Sequence, residues 1–312
     1  MRPRRHLAPT LTLATITALA GAMAPAEVPR VVTDIPAVQS LVAMAMGDLG
    51  TPMLLLDPGA DPHGHQLRPS QAAALAEAGL VVWIGPEMTP WLDRALGLAG
   101  KAEVLGLLAD PGTLRRPFEE EEEEADDHAE AGGEDHDHAG TDPHAWLDPD
   151  NARHWLDLIA AALAARDPGH AATYHANAAS AQVEIAALDA RLRDRLAGAA
   201  DAPIAVAHDA YGYFAGHYGL TIAAHVAAGD AADPGAARLA EVQAILKAGQ
   251  VRCLFPEVGR NPGRIAMLAD ASGVRPGAAL DPAGVMLAPG PGLYPALIEN
   301  LGSAIADCLD GR

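Results

Sequence analysis

The sequence predicts a two-lobed α/β protein in which two parallel-type sheets are joined by one long, rigid helix. Three observations support this fold class. Short β-rich runs alternate with longer Ala- and Leu-rich runs of helical period, which is typical of βαβ units. A long helical stretch separates the two sets of alternating runs. The chain of 312 residues, 50% of them apolar, suffices for two domains with a core each.

The first lobe is expected over residues 27–168. Its strands are predicted at 28–33, 53–56, 80–84 and 103–107, where β-forming residues cluster. Helices are predicted at 35–49 and 70–78, the second capped by Ser70 directly after Pro69. The alternation of strand and helix predicts a parallel sheet for this lobe.

The linking helix is expected at 169–199, and the second lobe at 200–312. Residues 170–197 contain no Pro or Gly, and their apolar positions follow a helical period: Val183, Ile185, Leu188, Leu192 and Leu196. Strands are predicted at 204–207, 220–223, 251–255 and 278–280, and a further helix is predicted to open at Asp233-Pro234. A single rigid helix between two sheets would restrict hinge bending, so large closure is not expected.

Residues 1–26 are expected to be a cleavable export signal. Arg2, Arg4 and Arg5 precede an apolar run over 11–24, and cleavage is expected after Ala26. No cysteine follows that run, so a lipid anchor is not expected. These features predict a free protein in a periplasm.

The net charge of −20 excludes some partners. The chain has 21 Lys and Arg against 41 Asp and Glu, whereas nucleic-acid binding needs clustered basic residues. Nucleic acid is therefore not an expected ligand. A surface of this charge attracts cations, although charge alone selects no particular metal.

The segment 118–140 differs in composition from the rest of the chain. It contains an unbroken run of glutamates over 119–124, then further acids interleaved with His128, His136 and His138. Like charges at this density repel one another and cannot bury a core, so a mobile loop is expected. The loop is either a solvating tether or, as its histidines favour, an auxiliary collector that binds metal weakly.

Two cysteines remain after the signal, Cys253 and Cys308. An oxidising compartment favours their pairing in one structural disulfide. Two separate buried thiols are the alternative. Thiolate metal ligation is less favoured, because neither cysteine has a cysteine partner at close spacing.

Three histidines occupy positions where strands or loops end. His63 and His144 each follow an Asp-Pro pair, and His208 follows a predicted strand. In open α/β sheets, ligands bind beyond the carboxyl ends of the strands, so residues distant in sequence converge there. Three imidazoles favour zinc, whereas manganese prefers more oxygen donors. The sequence therefore predicts a zinc site in the cleft between the lobes.

Several motifs in the same order resemble the periplasmic zinc-binding proteins of ABC importers, often called ZnuA-like. The matching stretches lie at 61–63, 67–70, 142–149, 208–214, 234–236, 255–257 and 280–282, and they span nearly the whole mature chain. The resemblance implies a receptor that carries Zn²⁺ to a membrane permease. It also implies the acidic His-rich insertion, the linking helix and a disulfide between Cys253 and Cys308.

By the same resemblance, the metal ligands are His63, His144 and His208, with Asp281 as the candidate fourth. Glu257, at another strand end, is the competing candidate for that position, and water is a third. His65 lies two residues after His63 and is an alternative to it. A periplasmic zinc metallochaperone is a further expected partner, and the chain is expected to be a monomer.

Three alternative functions share the three histidines. A metal-binding adhesin or metallochaperone would have the same site and differ only in its partner. A receptor for manganese or another divalent metal would use the same fold. A zinc-dependent hydrolase would leave the fourth metal position open to activate water. The sequence contains no His-Glu-x-x-His, Gly-x-Ser-x-Gly or Gly-x-x-x-x-Gly-Lys motif, which disfavours an enzyme.

Overall fold

The computed structural model describes residues 27–118, 140–227 and 234–312. Within these ranges the chain forms two four-stranded sheets, each entirely parallel and accompanied by helices. The predicted fold class is therefore confirmed. The expected signal over 1–26, nearly all of the expected acidic loop and Asp233 lie outside the described residues.

The first sheet has the strand order β2-β1-β3-β4. Its strands are β1 (Val31–Thr33), β2 (Met53–Leu54), β3 (Leu80–Trp83) and β4 (Glu103–Gly106). The central strands β1 and β3 are buried along their whole length, as expected for short apolar runs in a parallel sheet. All four strands overlap the predicted ranges.

The second sheet has the order β6-β5-β7-β8. Its strands are β5 (Ile204–His208), β6 (Ile222–Ala227), β7 (Cys253–Phe255) and β8 (Arg275–Pro276). The strand predicted at 278–280 is wrong, because β8 lies earlier and Leu280 forms an isolated bridge with Glu257. Proline is tolerated in β8 because that strand is at the sheet edge. Gly277 then fits against Phe255, whose ring a side chain at 277 would hit.

The helices cover the sheets and connect their strands. They are α1 (Pro36–Met46), α2 (Pro69–Ala76), α3 (Pro90–Asp93), α4 (Pro149–Arg166), α5 (Ala171–Leu196), α6 (Gly212–Tyr218), α7 (Ala236–Lys247), α8 (Pro262–Ser272) and α9 (Leu293–Leu309). The predicted starts of two helices, α2 and α7, are wrong. Arg68, not Ser70, is the N-cap of α2, and its backbone N–H donates to the Gln71 side chain. Helix α7 begins two residues beyond Pro234.

The predicted linking helix is α5. Its buried stripe includes Ile185, Leu188, Leu192 and Leu196, which follow the helical period and pack against α1, α4 and α9. Val183 was expected on this stripe but is 70% exposed, because it lies on the opposite side of the helix from Ile185. The helix is thus braced along its length.

Helix α9 returns from the second sheet to the first. It packs against α1 and α5 as well as β7. Tyr294 lies near its start. The backbone N–H of Tyr294 donates to Ser40 Oγ at 2.9 Å, and its hydroxyl donates to the Trp146 carbonyl at 2.9 Å. A continuous apolar core among the described residues consequently runs from Val31 to Cys308 and includes residues from both sheets.

A disulfide joins Cys253 in β7 to Cys308 in α9, as predicted. Both residues are buried. The bond spans a sequence separation of 55 residues. A cross-link over a loop of that length stabilises a fold by about 4 kcal/mol in the chain-entropy model. The disulfide therefore fastens the returning helix to the second sheet.

Within the part of the chain that the structure describes, no helix combines the length and the apolar character needed to cross a membrane.

Candidate metal centre

His63, His144 and His208 meet in one place, as the sequence predicts. Each can offer a ring nitrogen, and these atoms lie within 4.8 Å of one another. The ring of His144 is central, with its centroid 5.6 Å from that of His63 and 5.4 Å from that of His208. His63 lies in the loop after β2, His144 precedes a 3₁₀ turn at Ala145–Leu147, and His208 ends β5. The two sheets thus contribute jointly to the cluster.

The repeated Asp-Pro-His motif has a structural explanation. The carboxylate of Asp61 accepts the backbone N–H of His63 at 3.0 Å, and Asp142 accepts the N–H of His144 at 2.9 Å. Each aspartate therefore closes a tight local turn, as Asp side chains commonly do. The turn holds the histidine two residues later at the cavity.

Asp142 also orients the ring of His144. Its Oδ1 lies 2.8 Å from His144 Nδ1, and both side chains are buried. With Nδ1 engaged by a carboxylate, Nε2 is the nitrogen left to bind a metal. The loop that carries Asp142 and His144 is also anchored to α6, because the Tyr213 hydroxyl donates to the Asp142 carbonyl at 2.9 Å.

His208 is oriented in the same way by Glu257. His208 Nδ1 lies 2.6 Å from Glu257 Oε2, and the Tyr211 hydroxyl donates to the same oxygen at 2.9 Å. Arg260 Nε donates to the other oxygen, Oε1, at 3.1 Å. Burial opposes ionisation of Glu257, but the interactions with His208, Arg260 and Tyr211 prevail and lower its pKa.

The cluster favours the neutral form of His63. Burial, followed by the nearby His144, His208 and Arg260, lowers the pKa of His63 to about 2. Neutral imidazole is the form that binds a metal ion. At neutral pH this ring therefore needs no deprotonation before it binds a metal.

The three histidines line a cavity of about 460 Å³ between residues of the two sheets. Asp281 and Glu257 line the same cavity. Asp281 is not among the ligand atoms that lie within 4.8 Å of one another. Its Oδ1 accepts the N–H of Val285 at 3.0 Å, and its Oδ2 accepts the N–H of Met286 at 2.9 Å.

The remaining predicted metal-binding residues fall into two groups. His65 is turned to Trp91, with the two ring centroids 5.0 Å apart in an edge-on arrangement. The Trp91 indole also donates to the Pro62 carbonyl at 2.7 Å, which fixes the His63 loop. The loop histidines lie outside the described residues: His128, His136 and His138.

Tyr211, Tyr213 and Arg260 are residues that sequence reasoning did not assign to the site. Tyr211 and Tyr213 belong to the motif over 208–214, but their hydrogen bonds join residues more than 40 positions apart. A buried tyrosine hydroxyl commonly has a hydrogen-bond partner, which is the signal that could have suggested their involvement.

A second group of potential ligands, Asp148, Asp150 and His217, lies away from the cavity. His217 Nδ1 is 2.9 Å from Asp148 Oδ1, and its Nε2 is 2.8 Å from Asp189 Oδ1. Arg193 approaches the same Nε2 at 2.7 Å. Burial disfavours the charged ring, but the two carboxylates prevail and raise the pKa of His217. His217 and the carboxylates of Asp148 and Asp189 thus form an ion-paired brace that joins α6 to the start of α4 and to α5.

Comparisons with known proteins identify the family of the chain. The sequence profile of the family described as zinc-uptake complex component A, periplasmic, matches residues 31–308. The chain is 48% identical over 330 aligned positions to the high-affinity zinc uptake system protein ZnuA of Paracoccus denitrificans, covering 96% of this chain and 98% of that protein. It is 33% identical to the ZnuA protein of Brucella abortus, covering 96% and 97% respectively.

The fold is similar to that of the periplasmic zinc-binding protein TroA from Treponema pallidum. The TM-score is 0.77 at 22% sequence identity, and the alignment covers 90% of this chain and 99% of TroA. At this identity the likeness supports the fold. Because the family profile matches most of the chain and full-length relatives exceed 30% identity, the chain belongs to the periplasmic zinc-uptake component A family.

Proposed function

We propose that this chain is a periplasmic receptor that binds Zn²⁺ between its two sheets and delivers it to the membrane permease of an ABC importer. The observation that carries this proposal is the cluster of three histidine rings that line one cavity. The names of the Paracoccus and Brucella relatives, which describe high-affinity zinc uptake, support it.

The proposed ligands are His63, His144 and His208, with Asp281 as the fourth. Three nitrogen donors and one oxygen donor make a tetrahedral set that suits zinc better than manganese. Asp281 lines the same cavity, and each of its oxygens retains lone pairs beyond the backbone hydrogen bond that it accepts. A carboxylate there would offset part of the charge of the dication in a partly enclosed site.

We propose a transport function rather than an enzymatic one. A zinc hydrolase needs an open metal position for water, and ligation by Asp281 would close it. Manganese remains the cargo to test against zinc, because the fold itself does not select the metal.

The remaining proposals concern export, organisation and partners. Residues 1–26 are proposed to be removed as a signal peptide, and the mature chain is proposed to be a monomer without a lipid anchor. The proposed division is a first lobe at 27–168, a linking helix at 169–199 and a second lobe at 200–312. A periplasmic zinc metallochaperone is proposed as a second partner.

The function can be tested in a bacterium whose own zinc receptor gene is deleted. Expression of this chain with the cognate permease should restore growth when zinc is chelated, and the purified mature chain should bind one tight equivalent of zinc in preference to manganese. Growth that is restored by manganese alone, or a purified chain that prefers manganese, would contradict the proposal.

Deletion of residues 119–138 should leave the tight site intact, because its proposed ligands lie elsewhere in the chain. We expect fewer weak equivalents of zinc and slower loading at low zinc concentration, since a charged segment raises the local concentration of cations. The difference in loading rate between the wild type and the deletion variant should shrink with added salt. Screening by salt reduces the reach of the segment's electrostatic field to about 8 Å at physiological ionic strength. Stopped-flow measurements with a fluorescent zinc chelator would measure it. Loss of tight binding would place the principal site in the deleted segment.

A further inference from the structure

Glu257 lies at the cavity that holds the three histidines, and its carboxylate is already engaged by protein groups. Among the described residues, His208 Nδ1 and the Tyr211 hydroxyl contact its Oε2, and Arg260 Nε contacts its Oε1. The side chain is only 7% exposed. Glu257 is not among the ligand atoms that lie within 4.8 Å of one another. To join them as a metal ligand it would have to move away from its present partners in a place with little access to water. Breaking buried hydrogen bonds to charged groups is costly.

The backbone at Glu257 is also held in place. Residue 257 follows β7 and forms a parallel bridge with Leu280. The Val258 N–H donates to the Leu280 carbonyl at 2.9 Å, and the Leu280 N–H donates to the Pro256 carbonyl at 2.9 Å. Because the chain is paired on both sides of residue 257, the carboxylate is presented from a rigid position.

The hydrogen bond to Glu257 determines which nitrogen of His208 is available. A carboxylate at Nδ1 favours the tautomer with the proton on that nitrogen, which leaves the Nε2 lone pair for a metal. The same arrangement occurs at His144, where Asp142 contacts Nδ1. A carboxylate partner also makes the imidazole a stronger donor to a metal.

We propose that Glu257 is a positioning residue for zinc binding: it fixes the tautomer and direction of His208 and does not itself bind the metal, while Tyr211 and Arg260 hold its carboxylate in place. This inference rests on the proposed function, in that His208 is taken as a zinc ligand. It gives Glu257, the competing candidate for the fourth ligand, a role other than binding the metal.

The first test measures zinc affinity by competition with a chelator. Glu257→Ala and Glu257→Gln should each weaken zinc binding by about 10- to 100-fold, which is typical when a carboxylate behind a metal-bound histidine is lost. Tyr211→Phe keeps the carboxylate and should cause a smaller loss. Glu299→Ala removes a glutamate that is 45% exposed on α9, and it should bind zinc like the wild type.

The second test separates positioning from ligation and from a merely structural role. In the zinc-free protein, long-range ¹⁵N–¹H NMR spectra should show the His208 proton on Nδ1, and Glu257→Ala should produce a mixture of tautomers. X-ray absorption of the zinc-loaded variant should show the same number of oxygen and nitrogen ligands as the wild type. Asp281→Ala provides the comparison for the loss of a proposed oxygen ligand.

Two outcomes would overturn the inference. One is a zinc sphere in Glu257→Ala that has lost an oxygen ligand, which would make Glu257 a ligand. The other is wild-type zinc affinity and an unchanged His208 tautomer in the glutamate variants. If Glu257→Ala does not fold, Glu257→Gln and Tyr211→Phe carry the same comparison. Failure of the wild type to bind zinc would instead contradict the proposed function.

Discussion

Replacement of His144 by alanine should weaken zinc binding by at least about 100-fold. His144 is the central ring of the cluster, and it is only 2% exposed. Zinc sites with four protein ligands have apparent binding free energies of about 10–16 kcal/mol, so the loss of one ligand should cost about 3 kcal/mol or more. Competition titration against a chelator of known affinity measures the change.

The matched control is His175→Ala. His175 is an exposed histidine on α5, away from the cavity, and its removal should leave the zinc affinity unchanged. If the wild type and His144→Ala bind zinc with equal affinity, His144 is not a zinc ligand and the proposed ligand set is wrong. Equal losses in both variants would point to a general effect of histidine removal.

Replacement of His217 by alanine should lower the free energy of unfolding of the zinc-free protein by about 3–5 kcal/mol. The change leaves the buried carboxylate of Asp148 without its ring partner, whereas Asp189 keeps its ion pair with Arg193. A buried charge that loses its partner is destabilising by that amount. Urea denaturation followed by circular dichroism measures the loss. Zinc must be removed first, because a bound ligand adds its own stabilisation.

The effect of His217 should depend on pH in a defined direction. Its pKa is raised in the folded state, so its contribution is fully present below the unfolded value of about 6.5. The contribution falls as the pH rises through the folded pKa. The difference in stability between the wild type and His217→Ala should therefore narrow in alkaline solution.

Arg191→Ala is the control for this second prediction. Arg191 and Glu299 form an ion pair between α5 and α9 whose side chains are 64% and 45% exposed, so its loss should cost less than about 1 kcal/mol. The prediction is wrong if His217→Ala is as stable as the wild type. It is also wrong if the difference in free energy of unfolding between the two proteins widens as the pH rises, because an ionic contribution of His217 must fall with rising pH.

Local patterns predicted much of the fold and the meeting of the three histidines. The buried strands β1, β3, β5 and β7 are short apolar runs whose character does not depend on distant residues. His63, His144 and His208 could be grouped because parallel strands direct their carboxyl ends to one edge. Their order along the chain also matched a known pattern of motifs.

The features that escaped prediction depend on contacts between distant residues. Strand β8 is an exposed edge of two residues that includes Pro276, so neither hydrophobicity nor β-propensity marks it. Arg68 became the cap of α2 through its backbone and the Gln71 side chain, and Ser70 has no part in that bond. The partnership of His208 with Glu257 joins residues 49 positions apart, which no local pattern reveals.

The return of α9 to α1 affects the order in which the protein can assemble. Residues 293–309 are synthesised long after α1, yet they cover a face of that helix. A nascent chain therefore leaves that apolar face uncovered until its C-terminal helix arrives. Neither half can complete its packing alone, because the shared core contains residues from both. We therefore expect the two sheets to fold as one cooperative unit once α9 has been synthesised.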